Sequence, residues 1–451
     1  MITQDMGDIL TRTIKRLLRR RSFTHLRKIV NRAHPVDLAR LFSSLSLSEQ
    51  SALYERINDP ANRGTLLTKL DRDDLRQFSA ALAPQDLIAV VKHVPADDLA
   101  DLVEGLPEDI GREVLAGLQQ AGSKEVGDLL QYDGKTAGGI MATDFIALPS
   151  TTTAGEAIRW IQKEHQKVET AFYLYVTDPQ QRLCGVCSLR ELVTAKPDTT
   201  LSDLMTRDTF SVTTDTDQEN VAHIVSRYDL LALPVVDADQ RVVGIVTVDD
   251  IIDIIRDEAT EDILKMAGAG EDFVETKSVF SSIRIRLPWL LATCGGGVAA
   301  TLIIGHFEST LEQLVFLAAF IPVIMGMGGN IGTQSATIVV RGLAMESIQI
   351  HRIGSVVLKE TAVGFLLGFV YGVLLGAVAH IGYQMWQLGL LVALAVVFTM
   401  TMAAVVGALL PMTFARLKID PAVATGPFVT TSIDILSISF YFYLARWLFR
   451  I

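Results

Sequence analysis

The sequence predicts a multidomain α-helical membrane protein: a cytosolic helical superhelix domain, then a pair of α/β repeats, then a polytopic α-helical transmembrane domain. Three observations carry that reading. The 451 residues include 40 Lys/Arg and 51 Asp/Glu, yet only seven and six of these fall between Leu287 and Ile451. The 286 residues in front carry 33 and 45, a net of −12, ahead of a nearly charge-free back half. Two different internal repeats fill the front half, and five apolar stretches of membrane-crossing length fill the back. The expected boundaries are 1–133 for the helical repeats, 134–256 for the α/β pair, 257–286 for a connecting helix and 287–451 for five membrane helices.

In residues 1–133 a short unit recurs: PVDLARLFSSL from Pro35, PQDLIAVVKHV from Pro84, PADDLADLVEGL from Pro95 and PEDIGREVLAGL from Pro107. Proline followed within three residues by aspartate suits a helix start, where a missing N–H costs nothing and an acid meets the positive end of the dipole. Short helices stacked as a solenoid are expected, with an irregular bundle as the alternative. The basic run Lys15–Arg21 reads as a solvated helix face, or as a surface for phosphate-rich lipid or an acidic neighbouring domain. The N-terminus has no apolar core of signal-peptide type, so the front half is expected in the cytoplasm. The acidic balance of this half argues against nucleic acid as a partner. Cys184 and Cys187 lie in LCGVCSL, which reads as a strand with the two thiols on opposite faces, and no histidine spacing suggests zinc. No catalytic constellation is read, so an enzyme is not expected.

From Gly134 a second repeat appears. IMATDFIALPSTTTAGEAIRWI leads to FYLYVTDPQQRLCGVCSLRELV, and about 64 residues later LMTRDTFSVTTDTDQENVAHIV leads to LLALPVVDADQRVVGIVTVDDII. Each copy runs strand, polar turn, helix, strand, turn, strand, then Ser/Thr opening a helix. The copies resemble a CBS pair, carrying Gly-x-x-Ser/Thr-x-x-acid at Gly185, Ser188 and Glu191, and again at Gly244, Thr247 and Asp250. A hydroxyl at a strand-to-helix corner suits a phosphate, and the acid suits a ribose. Members of this fold family bind adenine nucleotides or nothing, and both readings stay open.

Next comes an acidic stretch. Asp249, Asp250, Asp253, Asp257, Glu258, Glu261 and Asp262 recur mostly at three- and four-residue intervals, so one acidic helix face is expected. Charges this dense repel, and divalent cations relieve that repulsion when a second acidic surface approaches.

The five apolar spans are expected near Leu287–Gly305, Leu314–Val340, Val356–Gln384, Leu388–Pro411 and Ala422–Leu448. Arg284, Arg286, Arg341, Arg352, Lys359, Arg416 and Lys418 flank them on the side of the soluble half, which the positive-inside rule makes cytoplasmic. Arg446 and Arg450 at the far end run against that rule. The third span carries an unbroken ridge of Gly364, Gly368, Gly372 and Gly376, a packing signal. The second, FIPVIMGMGGNIGTQSATIVVRG, is expected to be a broken helix carrying the polar row Asn330, Thr333, Gln334 and Thr337. In the fifth, Asp434 heads a stripe with Pro427, Thr430, Thr431, Ser437 and Tyr441. A carboxylate at that depth costs about 3 kcal/mol on insertion scales. Hydroxyls, amides and carbonyls around it suit a hydrated magnesium ion; the alternative is a protonated acid that joins helices.

The order of these parts, with AGGIMATDFIALP (Ala137–Pro149), YDLLALPVVD (Tyr228–Asp237), GIVTVDDIIDII (Gly244–Ile255), MGGNIGTQSATIVVRGLA (Met327–Ala344) and DPAVATGPFVTTSID (Asp420–Asp434), resembles the MgtE magnesium channels. The resemblance implies an inner-membrane homodimer in lipid, with the second and fifth spans of both subunits lining one pore. Asp434, Asn330, Thr430, Gly329, Thr333 and Glu360 would form the ion path. Regulatory magnesium would bind among Asp249, Asp250, Asp253, Asp257, Glu258 and Asp262, with Asp97, Asp98 and Asp420 as partners, closing the pore when the ion is abundant. ATP would bind near Tyr173, Ser188, Arg190, Glu191, Thr247 and Asp250 and tune that response. Two positions depart from the family pattern: Gly426, where some relatives carry an amide, and Ser437, where glycine is common. An ion-coupled carrier for divalent cations such as Mg2+ or Co2+ is the competing function.

Overall fold

The structure, a computed structural model, describes residues 2–120, 125–164, 172–268, 279–345, 347–348 and 350–451. Residues 269–278 of the expected connecting segment lie outside the described residues. The chain divides into two compact units, Met1–Glu258 and Ala259–Ile451.

The first unit begins with α1 (Ile2–Arg19), α2 (Phe23–Val30), α3 (Pro35–Phe42), α4 (Leu47–Tyr54), α5 (Pro60–Thr68), α6 (Arg72–Ser79), α7 (Pro84–Val91), α8 (Ala96–Gly105), α9 (Glu108–Gln120) and α10 (Glu125–Leu129). Proline opens α3 and α7 as the repeat predicts, and Pro60 opens α5 in the same way, while Pro95 and Pro107 stand one residue ahead of α8 and α9. Where it does not, side chains do the work: Ser46 and Glu49 close a capping box on α4. Odd helices stack on odd ones (α3 on α5, α5 on α7, α7 on α9), and α2, α4, α6 and α8 stack in the same way. That two-row order is a solenoid, and it decides against the irregular bundle. Phe78 joins the rows to the core, edge-on to Phe42 at 4.9 Å and to Tyr54 at 5.2 Å. The basic run ends α1 as a solvated face, with Ile14 and Leu18 buried behind it and Arg16, Arg19 and Arg20 exposed.

Each α/β copy then builds a three-stranded sheet. The first holds β1 (Ala147–Pro149), α11 (Ala154–Glu164), β2 (Tyr173–Thr177), β3 (Leu183–Ser188) and α12 (Leu189–Thr194). The second holds α13 (Leu201–Leu204), β4 (Val212–Thr213), α14 (Gln218–Arg227), β5 (Ala232–Val236), β6 (Val242–Thr247) and α15 (Val248–Met266). In both sheets the first strand runs parallel to the second, and the second antiparallel to the third. The two copies exchange segments reciprocally: Ala142, ahead of the first sheet, bridges Ile245 of β6, while Thr206, ahead of the second, bridges Val186 of β3. The motif glycines make room for this exchange. A Cβ on Gly185 would stand 2.7 Å from the Thr206 carbonyl oxygen, and one on Gly244 would stand 3.0 Å from that of Ala142.

In the second unit follow α16 (Val279–His306), α17 (Glu308–Gln313), a 3-10 turn at Val315–Phe320, α18 (Ile321–Ala344), α19 (Ile353–Tyr383), α20 (Trp386–Arg416), a 3-10 turn at Pro421–Ala424 and α21 (Pro427–Phe449). Among the described residues five segments are long and apolar enough to cross a membrane: Ser282–His306, Val315–Ala344, Ile353–Tyr383, Trp386–Arg416 and Pro427–Phe449. They match the expected spans to within a few residues. α20 is the central post, packed on α18, α19 and α21. The α19 ridge is covered along its length by α20, with all four glycines buried. A Cβ on Gly372 would stand 2.7 Å from the Ala393 carbonyl oxygen, and one on Gly376 would stand 2.6 Å from that of Gly389. One expectation fails. α18 is continuous from Ile321 to Ala344, and the irregular backbone precedes it. Its Pro322 sits in the first turn, where it breaks nothing, and Gly328 and Gly332 admit Ile433 of α21.

Candidate functional site

The unbroken α18 has two faces of opposite character. Gly328, Gly332, Ser335, Ala336 and Val339 are buried, while Asn330, Thr333, Gln334 and Thr337 are exposed. Gly329 and Gly326 have open space above them. The polar row therefore lines a free face. Glu360 does not belong to it: the carboxylate is 6 % exposed and accepts a 2.8 Å hydrogen bond from the Ser335 hydroxyl on the packed side. It ties α19 to α18 on the face away from the polar row.

Asp434 stands one residue beyond Ile433, the side chain seated over Gly328 and Gly332. It is half-buried and, among the described residues, makes no hydrogen bond and no ion pair. The reading of Asp434 as helix glue thus has no bonded hydroxyl behind it. The expected stripe splits. Pro427, Ser437 and Tyr441 turn inward, and the Tyr441 hydroxyl donates to the Leu317 carbonyl at 3.1 Å. Thr431 packs over Gly296 of α16. Thr430 stays part-exposed and donates back to the Gly426 and Pro427 carbonyls, each at 3.3 Å. What remains open for an ion on α21 is the carboxylate of Asp434, with Thr430 four residues before it.

In the first unit, acids of α8 and α15 meet. Burial pushes Asp97 up to about 6, with Asp98 and Asp101 adding repulsion. Asp101 rises to about 6, first through burial and then through Asp98, Glu104 and Asp250. Asp250 rises to about 6 by burial, against the pull of the Thr247 hydroxyl, with Asp97, Asp249 and Asp98 raising it further. Asp98 is raised by burial and held back by Lys69, 3.8 Å away, while Asp249 and Asp253 push it up. Asp101 escaped the sequence reading, although it lies one turn beyond Asp97 and Asp98 on the same helix. Among the described residues no three His, Cys, Asp or Glu side chains are close enough to cage a bare ion. Carboxylates crowded yet apart suit an ion that keeps its water shell.

The rest of α15 is not one acidic face. Arg256 pairs with Asp253 at 3.3 Å and with Asp257 at 3.2 Å, and Glu258 accepts from Gln218 at 2.5 Å. Asp262 is half-buried. Lys265 is held by Glu261 and by Asp420. Basic residues interleaved at three- and four-residue offsets thus divide the charge into separate pairs.

At the first α/β copy the strand register sets Tyr173 beside Ser188, so Tyr173, Ser188, Arg190 and Glu191 share one corner. Ser188 and Glu191 also satisfy each other. The hydroxyl donates to the carboxylate at 2.7 Å, the Ser188 N–H donates to it at 2.9 Å, and the Glu191 N–H donates to the hydroxyl at 3.2 Å. These bonds hold the Glu191 pKa down. Thr247 repeats the gesture toward Asp250 at 2.6 Å. The spacing read for phosphate and ribose is also a capping box, and the helix start uses it. Arg190 remains exposed and available.

Three family models match the chain: the MgtE intracellular N domain over residues 33–135, the CBS domain over 201–257, and the divalent cation transporter MgtE over 321–444. The chain is 35% identical over 432 residues to the magnesium transporter MgtE of Bacillus subtilis, covering 95% of each chain. It is 34% identical over 429 residues to that of Thermus thermophilus, covering 94% of this chain and 95% of the relative. The solved cytosolic domain of the Mg2+ channel MgtE in complex with ATP covers 54% of this chain and 99% of its own, at 32% identity and a TM-score of 0.51.

Proposed function

The chain belongs to the MgtE family of divalent cation transporters, and from that premise we propose that it is a magnesium channel of the cell membrane, dimeric and closed by cytosolic magnesium. The observation that carries the reading is Asp434, a carboxylate at membrane depth with no bonded partner among the described residues, on a helix packed against the glycine face of α18, whose other face carries the exposed polar row. An unpaired acid there is costly unless it serves an ion. Two such carboxylates across a dimer axis attract a doubly charged cation. Asn330, Thr333 and Thr430 then address its water shell, because magnesium sheds water reluctantly. Glu360 acts behind this surface, through Ser335.

Closure uses the second group of acids. Asp97, Asp98 and Asp101 face Asp249, Asp250 and Asp253, with Lys69 near Asp98, Arg72 near Asp101 and Arg256 on Asp253 offsetting only part of their charge. Hydrated magnesium relieves the repulsion and favours the approach of α8 and α15; at low magnesium the acids separate. ATP takes the corner of Tyr173, Ser188, Arg190 and Glu191, with Arg190 on phosphate and Glu191 on ribose.

Proteoliposomes test this directly. A magnesium gradient alone, with no sodium or proton gradient, drives tracer uptake in a channel. Uptake that appears only when a sodium or proton gradient is added would replace the channel with a coupled carrier.

A further inference from the structure

Asp420 sits at the head of the Asp434 helix, and its two oxygens do different things. Oδ1 accepts from the Ala422 N–H at 2.8 Å and caps the 3-10 turn that leads into α21. Oδ2 lies 2.7 Å from the Lys265 ammonium, which Glu261 grips from the preceding turn of α15. Lys265 and Glu261 are mostly buried, with side chains 16% and 17% exposed, so this is not a solvated surface pair. A second contact lies beside it. A Cβ on Gly426, just before Pro427, would stand 3.5 Å from the Met266 carbonyl oxygen and 4.0 Å from the Gly268 nitrogen. A longer side chain at 426 would push against the end of α15. The small residue that departs from the family pattern is thus what allows the end of α15 to rest on the head of α21.

We propose that Lys265 is a positioning residue for transport: a resident ammonium that keeps α15 fastened to the pore helix at every magnesium concentration. This rests on the channel reading above. An ammonium held by two carboxylates supplies the positive charge that a divalent ion would otherwise bring to Asp420. The same helix carries Asp253 twelve residues earlier, about 18 Å along its axis. Magnesium sensing is then confined to the Asp97–Asp253 end, and the Lys265 end transmits what happens there. Removing the ammonium takes away the cation that Glu261 and Asp420 share and sets two like charges facing each other, which loosens α15 from the head of α21.

The test uses the full-length protein in two assays. With Met266→Cys and Ile419→Cys, each next to one member of the Lys265–Asp420 pair, added to a variant whose native cysteines are replaced by serine, cross-linking by a flexible bifunctional thiol reagent is expected to be equally efficient with and without magnesium. It should fall sharply on Lys265→Met and recover with Lys265→Arg. Cross-linking that requires magnesium, or that ignores Lys265→Met, overturns the fastening. In proteoliposomes, Lys265→Met should keep its flux at low internal magnesium while half-inhibition moves up by about tenfold. Asp420→Asn should do the same, and the double variant should do no more than either. Half-inhibition left at the wild-type value overturns the positioning role, even if the cross-link behaves as expected. Absence of inhibition in the wild type would instead refute the gating reading, leaving the cross-linking result to stand or fall alone.

Discussion

Asp434 and the acids of α8 and α15 are the same functional group in opposite arrangements. In the membrane unit one carboxylate stands alone, with no bond among the described residues and an uncrowded polar helix alongside. In the first unit six carboxylates are gathered on two helices, and burial with mutual repulsion pushes three of them up to about 6. A lone acid attracts an ion without holding it in a cage, which suits passage. A crowd of acids is unstable without a counter-ion, which suits sensing. The contrast teaches that acid number and crowding, rather than acid identity, separate a path from a switch.

The largest effect should come from the lone acid. Asp434→Asn keeps the volume and removes the charge, and magnesium flux should fall by roughly a hundredfold, with the elution position of the purified protein unchanged. Next comes the crowd. Asp249→Asn with Asp253→Asn should leave flux at low internal magnesium near normal and raise half-inhibition by about tenfold. Protons offer a milder probe. Asp97, Asp101 and Asp250 titrate in the folded protein near 6, above the usual carboxylate range, so each destabilises the gathered arrangement fully above that pH. The penalty is relieved as pH falls from about 6 toward 4. Lowering pH from 7.5 to 5.5 should therefore protect the first unit from protease at low magnesium, and magnesium should add less protection than it does at 7.5. Unchanged protection would remove the crowding argument.

The smallest effect tests the same contrast of covered and open faces within the membrane. Gly368→Ala would set a Cβ 3.0 Å from Val397 Cα of the covering helix, whereas nothing lies within 4 Å of the Gly329 position. The first substitution should cost about 1–3 kcal/mol in thermal stability. The second should cost far less and alter flux instead. Equal losses in stability would mean that the open face of α18 is not open.

Local rules made much of this legible. Proline and early acids marked helix starts, charge depletion marked the spans, and the α19 glycines predicted a close partner. Non-local packing hid the rest. Glycines in the second span suggested a break because the sequence does not show that Ile433, about a hundred residues away, fills Gly328 and Gly332. Ser437 and Tyr441 share the heptad-like offsets of Asp434, yet neighbouring helices take them inward. Lys265 and Asp420 are separated by 155 positions, and no spacing rule pairs them. Ser188 and Glu191 were visible, but one spacing serves two purposes, nucleotide contact and helix capping.

The most direct measurement is magnesium flux against internal magnesium for Asp434→Asn and Asp253→Asn side by side in the same proteoliposome preparation. Separate path and switch predict that Asp434→Asn loses flux at every internal concentration. Asp253→Asn should keep its flux and lose only inhibition. Substantial flux through Asp434→Asn, or loss of flux in both variants, would contradict that division.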